Sequence, residues 1–384
     1  MKNSKVISQL KLRLGYGVTG QQNINRGDYP YLPKYTLSKN AGAYYQLGNV
    51  FYPTLRPEGY NPDIKWEETT TYNAGLDYGF LDGRIYGSFD YYYRKTKDLL
   101  NFIPVPAGSN LTNYLLTNIG DLENRGIEFS VNSVIIAKKE VKWTLGFNAS
   151  ANTNKITKLT ATSDPNYLGV ATGGISGGVG NTVQMHSVGY PAYSFYVYQQ
   201  VYDKNGKPIE GLYVDRNGDG QINDNDRYHY EDPAPKFYFG ISTDLSYKNW
   251  DFSFAGRANI GNYVYNNVSS MNGVYDRLYR PEGPYLANVT SDVSEAGFVS
   301  PQYLSDYYIQ NASFFRMDNI ALSYTFQNMN KSDKNPINLA LSFTVNNAFV
   351  ITKYKGLDPE VFNGIDNNIY PRPTTYVLGV NLQF

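Results

Sequence analysis

The residues best placed to do chemistry lie in one run, Asp215-Arg216-Asn217-Gly218-Asp219-Gly220-Gln221-Ile222-Asn223-Asp224-Asn225-Asp226. Counted from Asp215, side-chain oxygens fall at positions 1, 3 and 5 (Asp215, Asn217, Asp219). Gly220 takes the sharp turn at position 6, Gln221 offers its backbone carbonyl at 7, and Asp226 stands at 12. This is the spacing of a calcium loop. A hard cation needs about six to eight oxygen ligands, and short Asp and Asn side chains converge only if the chain coils around the ion. Position 12 is Asp rather than a bidentate Glu, and no helices are evident on either side. The same residues also suit an Asx-rich turn without metal, tied by side-chain-to-backbone hydrogen bonds. Both readings stay open, and Ca2+ is the one cofactor the sequence suggests.

Other chemical signals are weaker. The run GGISGGVG at 173–180 lacks a GK[ST] ending and a following helix, so it reads as loop rather than phosphate cradle. There is no cysteine, which excludes disulfides, thiol nucleophiles and Cys-type zinc sites. The two histidines, His186 and His229, have no nucleophile pattern beside them, and no spacing singles out an acidic pair for glycoside cleavage. The expectation is a protein that is not an enzyme. Aromatics crowd the loop-like stretches: Tyr44, Tyr45, Tyr60 and Trp66 in the first, Tyr263, Tyr265, Tyr275, Tyr279 and Tyr285 in a later one. Such rings stack on sugars and pack peptides, but they also line interfaces. Tyr60, Trp66, Tyr265, Tyr275 and Tyr279 are the candidate substrate contacts.

Composition narrows the class. Lys+Arg and Asp+Glu are 34 each, so a neutral chain without a basic run is a poor nucleic-acid binder. Aromatics reach 16%, with 38 Tyr, while charged residues are 18%, below the ~25% usual in soluble domains. No stretch approaches the ~20 apolar residues of a membrane-spanning helix. Met1–Leu10 has no apolar core and is not a signal peptide.

The elements that must carry these residues are strands. In 84–94, Ile85, Phe89, Tyr91 and Tyr93 alternate with Arg84, Ser88, Asp90 and Arg94. In 142–152, Trp143, Leu145, Phe147, Ala149 and Ala151 oppose Lys142, Thr144, Asn148, Ser150 and Asn152. Period two gives each segment one apolar and one polar face. Short turns (Asp82-Gly83, 138–140, Lys248-Asn249, 328–335) alternate with long stretches at about 20–66, 100–117, 153–236, 262–312 and 350–372. Outer-membrane barrels have short periplasmic turns and long extracellular loops. Spans at about 8–19, 67–81, 84–98, 118–136, 141–152, 237–248, 250–261, 313–327, 336–349 and 373–384 alternate consistently in direction if 153–236 is one large extracellular excursion or holds an even number of extra strands. The expected fold is all-β: about ten antiparallel spanning strands, the C-terminal portion of a large transmembrane β-barrel. Tyr376, Leu378, Val380 and Leu382 lead to a terminal Phe384, a pattern that resembles a barrel assembly signal. A soluble sandwich or propeller is the competing fold.

Several segments resemble the SusC/RagA family of TonB-dependent transporters of Bacteroidota: LKLRLGYGVTGQQ (10–22), TNIGDLENRGIEFSV (117–131), YVDRNGDGQINDNDRY (213–228), FFRMDNIALSYTF (314–326), LSFTVNNAFVITKYKGLDPEV (341–361) and YPRPTTYVLGVNLQF (370–384). They cover essentially the whole chain in the family's order. The resemblance implies a protein of the bacterial outer membrane that imports oligosaccharides or peptides. It implies a SusD-like lipoprotein and the TonB complex as partners, outer-membrane lipid around it, and no nucleic acid. The family's plug domain, TonB box and roughly half its strands have no counterpart in 1–384. The expectation is a fragment inactive alone, with TonB engaged through the missing N-terminal region. The alternative is a non-energised outer-membrane barrel or surface-binding protein.

Overall fold

The computed structural model describes residues 6–21, 29–37, 44–160, 167–178, 180–278, 287–331 and 336–384. Ten long strands form one antiparallel sheet: β1 (Ile7–Gln21), β2 (Glu67–Phe80), β3 (Ile85–Lys97), β4 (Asp121–Ala137), β5 (Val141–Lys158), β6 (Phe237–Tyr247), β7 (Trp250–Ile260), β8 (Phe314–Phe326), β9 (Asn338–Thr352) and β10 (Thr375–Gln383). Their order in the sheet is their order in the chain. All ten expected spans are present. Helices among the described residues have six residues or fewer. Among the described residues no helix is long and apolar enough to cross a membrane.

Period-two alternation becomes two continuous surfaces. Following the register, Leu12, Leu76, Phe89, Phe129, Ala149, Phe239, Ala258, Phe315 and Ile351 form one apolar row across nine strands. One step along, Lys11, Asp77, Ser88, Ser130, Asn148, Gly240, Arg257 and Arg316 form a row that carries no apolar side chain. The apolar row is not covered by protein: Leu12 is 68% exposed and Ile351 65%. A soluble sandwich would pack that face away, so the sandwich alternative falls. On the polar face Arg13 pairs with Asp77 and Asp90 at 2.8 and 2.9 Å.

Local chemistry sets the turns and the register. Leu81 and Asp82 both have positive φ (53° and 55°) and Gly83 follows at 81°, the backbone of a tight hairpin. Gly87 lies where Tyr78 crosses from β2 to donate its hydroxyl to the Ser130 carbonyl on β4 (2.8 Å). A Cβ there would stand 1.9 Å from that carbonyl oxygen, so only glycine fits. Two strands run further than expected. β5 continues to Lys158 because Ile156 is buried and bonds through its backbone to Tyr190 and Gly189. β9 continues to Thr352 past a bulge at Asn347 (φ 49°).

Among the described residues the buried hydrophobic side chains all lie between Ile156 and Ile365, almost entirely outside the sheet. The long connections at one end pack together over Val183, Phe195, Val197, Tyr265, Phe298 and Tyr308. The short strand Tyr263–Asn266 pairs with Ile309–Asn311 and, in parallel, with Ile365–Asp366, locking two of these loops into one unit. At the other end are the tight turns.

Candidate functional site

Within this cap a cleft of about 810 Å3 opens between the end of β5, the 187–190 turn and the strand Tyr228–His229. The Tyr190 ring lies on the His229 imidazole at 3.8 Å and 18°, and Tyr196 tilts against the same imidazole at 5.1 Å. The Arg216 guanidinium sits 4.3 Å from the centre of the Tyr228 ring. Tyr228 is aimed by its hydroxyl, which donates to Asp306 (2.8 Å); the other oxygen of Asp306 accepts the Gln200 amide (2.9 Å). Arg227 pairs with Asp224 at 2.8 Å. Burial pushes His229 down to about 4, so its imidazole is neutral at pH 7. The cationic lining residues are Lys158, Arg216 and Arg227, and no carboxylate joins them among the described lining residues. Aromatic planes beside fixed N–H donors suit a ligand with flat apolar faces and many oxygens.

The calcium-like run forms a closed loop made by its own side chains. Asp215 accepts the amides of Gly218 and Gly220, both at 2.7 Å. Asn217 accepts from Asp219, and Asp219 from Gln221. Asp226, fully buried, accepts the amides of Asn223 (2.8 Å) and then Arg216 (2.9 Å), which hold its carboxyl below the usual range. The oxygens of Asp215 and Asp219 accept one hydrogen bond each and keep a further lone pair, so the loop fits a cation without needing one to close. Among the described residues no three His, Asp or Glu side chains converge as a metal cluster.

The candidate aromatics scatter. Tyr60 braces the first loop: its amide donates to the Asn110 carboxamide, which returns a bond to its carbonyl. Trp66 is 61% exposed beside Val18, Gly20 and Glu68, the parity of the apolar face, where it suits a membrane rim. Tyr265 has to be corrected. It is completely buried in the cap core and donates to the Tyr303 carbonyl, so no substrate reaches it. Tyr275 is half-exposed at the start of a short helix. Tyr279 and Tyr285 lie outside the described residues. Phe384 is 94% exposed beyond β10.

Two sets of candidate residues escaped the sequence reading. Tyr196, Tyr228 and His229 lie in strands of two to four residues and Tyr190 in a turn, with no period to mark them. The second set is a charge network. Arg316 (β8) pairs with Asp358 (2.6 Å), while Glu360 meets Arg257 (3.0 Å) and Arg372. It ties the last long loop to the wall, and the KGLDPE segment was its signal.

The model of the "TonB dependent receptor-like, beta-barrel" family matches residues 5–348. TonB-dependent receptor SusC of Bacteroides thetaiotaomicron is 48% identical over 386 residues, covering 100% of this chain and 38% of that protein. TonB-dependent receptor P3 of Formosa agariphila is 30% identical over 419 residues, covering 100% of this chain and 40% of its own. The chain thus spans about two fifths of the relatives it matches. A structure of the RagAB peptide transporter superposes with a TM-score of 0.78 at 24% identity, over 100% of this chain and 42% of its own, which establishes the shared fold. With its lipid-facing row, its polar inner row and its one-ended loops, the chain belongs to the outer-membrane TonB-dependent receptor β-barrels, among their SusC/RagA-like members, which are not enzymes.

Proposed function

We propose that the chain forms lumen wall and extracellular roof of a SusC-like importer whose cargo is an oligosaccharide. The cap, at the long-loop end, faces outward, and the tight turns face the periplasm. The observation that carries the cargo is the cleft. The paired planes of Tyr190 and His229 offer a stacking platform, and Arg216 and Arg227 stand ready to bond ring hydroxyls. Import is energised by the TonB complex, and a SusD-like lipoprotein closes over the cap. A peptide cargo is the second reading, favoured by the uncompensated cations Lys158 and Arg216, which would take a terminal carboxylate. The 215–226 loop binds Ca2+ weakly and stiffens the 153–236 excursion.

The test is uptake by cells whose transporter carries Tyr190→Ala or Arg216→Ala. Accumulation of labelled oligosaccharides should fall about tenfold, roughly the value of one stacking contact or charged hydrogen bond. Uptake must also vanish without TonB. Unchanged oligosaccharide uptake with lost peptide uptake would transfer the proposal to peptides; no loss of either would remove the cleft from the import path.

A further inference from the structure

A second, smaller chamber of about 240 Å3 lies where the loop after β7 meets the last long loop. Its lining includes Asn266, Ser269, Thr290 and Asp292 from the first and Asp366 and Asn368 from the second. Asp292 is only 6% exposed, yet no hydrogen bond or ion pair reaches its carboxylate among the described residues; even as the residue preceding a short helix it caps no amide. The Thr290 hydroxyl beside it is buried and equally without partner. Both turn to the bare side of Gly273: a Cβ on that glycine would stand 2.9 Å from Asp292 Oδ2, 2.9 Å from Thr290 Oγ1 and 2.6 Å from the Ser269 carbonyl. Asp366 forms the far wall, 2% exposed. It is fixed by the Tyr354 hydroxyl (2.8 Å) and the Asn368 amide (3.0 Å).

A buried carboxylate without a partner is among the costliest groups a fold can hold, and native structures leave almost none. Its oxygens open onto the chamber, so whatever fills that space must neutralise or solvate the charge. Among the described lining residues the one cationic side chain, Lys355, is turned to the surface, where it pairs with Glu295. The polar side chains that line the chamber on the anionic side offer oxygens: two carboxylates, three hydroxyls and two carboxamides. Oxygen-only sites of mixed charge suit hard divalent ions, which tolerate carbonyl, hydroxyl and water ligands at flexible geometry. The chamber has room for such an ion with several waters.

We propose that this chamber holds a hard divalent cation of the calcium class, which clamps the loop after β7 to the last long loop. It is distinct from the 215–226 loop in every residue. The site adds a charge-driven cross-link beside the parallel pairing of Tyr263–Asn266 with Ile365–Asp366.

The experiment uses the protein extracted from outer membranes in detergent and carrying Asp215→Ala with Asp219→Ala, so that the other loop cannot contribute. Terbium is titrated in, with luminescence excited through tyrosine, of which Tyr354 is bonded to the chamber wall. One saturable site, competed by Ca2+ and reversed by chelator, is expected. Asp292→Asn should weaken it at least tenfold, and Thr290→Val should weaken it without removing charge. Thermal melting provides the second readout. Without Ca2+, Asp292→Asn should melt above its parent, because the orphan charge is gone; with Ca2+ the order should reverse. Terbium affinity unchanged by both substitutions would overturn the proposal. So would an absent Ca2+ response combined with destabilisation by Lys355→Met, which would mean that the lysine turns inward to neutralise Asp292.

Discussion

Arg316 and Asp358 meet at 2.6 Å with their side chains only 2% and 6% exposed. One sits on the polar face of β8, the other on the last long loop, and Asn347 at the β9 bulge accepts a further bond from the same guanidinium (2.6 Å). A buried pair of this kind adds little over a well-packed apolar pair, but breaking it strands a charge. Asp358→Ala should cost about 3–5 kcal/mol, read as a lower melting temperature and faster protease cleavage within 353–374. Arg316→Met combined with Asp358→Leu should cost far less than either single change. A single substitution as mild as a surface one would deny the pair any holding role.

The cap should loosen in mild acid. His229 titrates near 6.5 in the unfolded chain but is pushed down to about 4 by burial. The folded state therefore binds the proton less well, so the contribution of His229 is complete above 6.5 and is lost as pH falls through 4. Cap proteolysis should rise across that window, and His229→Phe, which keeps the stack on Tyr190, should flatten the rise. An identical profile in the variant would place the pH sensitivity elsewhere.

The two faces of the sheet should respond oppositely to charge. Phe129, 37% exposed on the apolar row, should cost about 2–4 kcal/mol when changed to Arg, as expected for a cation facing lipid near mid-membrane. Glu128→Lys, one step away on the polar face, should stay within about 0.5 kcal/mol. Urea titration of protein folded into vesicles measures both; equal effects would contradict the two-solvent wall.

Gly87→Ala should block assembly, because the new methyl meets a backbone carbonyl that cannot step aside. Gly17→Ala, on β1 with nothing within 4 Å of the added carbon, is the control. Assembly is read as SDS resistance, a difference in gel migration between unheated and heated samples that Gly17→Ala should keep and Gly87→Ala should lose. Normal folding of the Gly87 variant would show that β3 and β4 can separate locally.

For the 215–226 loop, Asp215→Ala with Asp219→Ala should abolish Ca2+-dependent protection of the 153–236 region from protease. Protection that survives both changes, or that never depended on Ca2+, would leave the loop a metal-free turn.

The wall was legible because its signal is repeated: each strand carries its own alternation and each tight turn its own glycine, asparagine or lysine. The cap was not. Strands such as Ser194–Val197 are buried on both faces and four residues long, too short for a period to emerge. Tyr265 misled for the same reason. An aromatic in an irregular stretch reads as accessible, whereas its burial depends on Tyr303, Tyr308 and Phe298, which come from further along the chain. His229 and Tyr190 are 39 positions apart in sequence and meet only once the cap has folded.

Since every wall strand touches only the strands before and after it in the chain, the membrane part can grow one hairpin at a time, with no distant segment required. The roof has no such freedom: residues 263–266 must wait for 365–366, roughly a hundred positions later. Construction therefore has a direction in time, with the staves raised first and the lid fastened last.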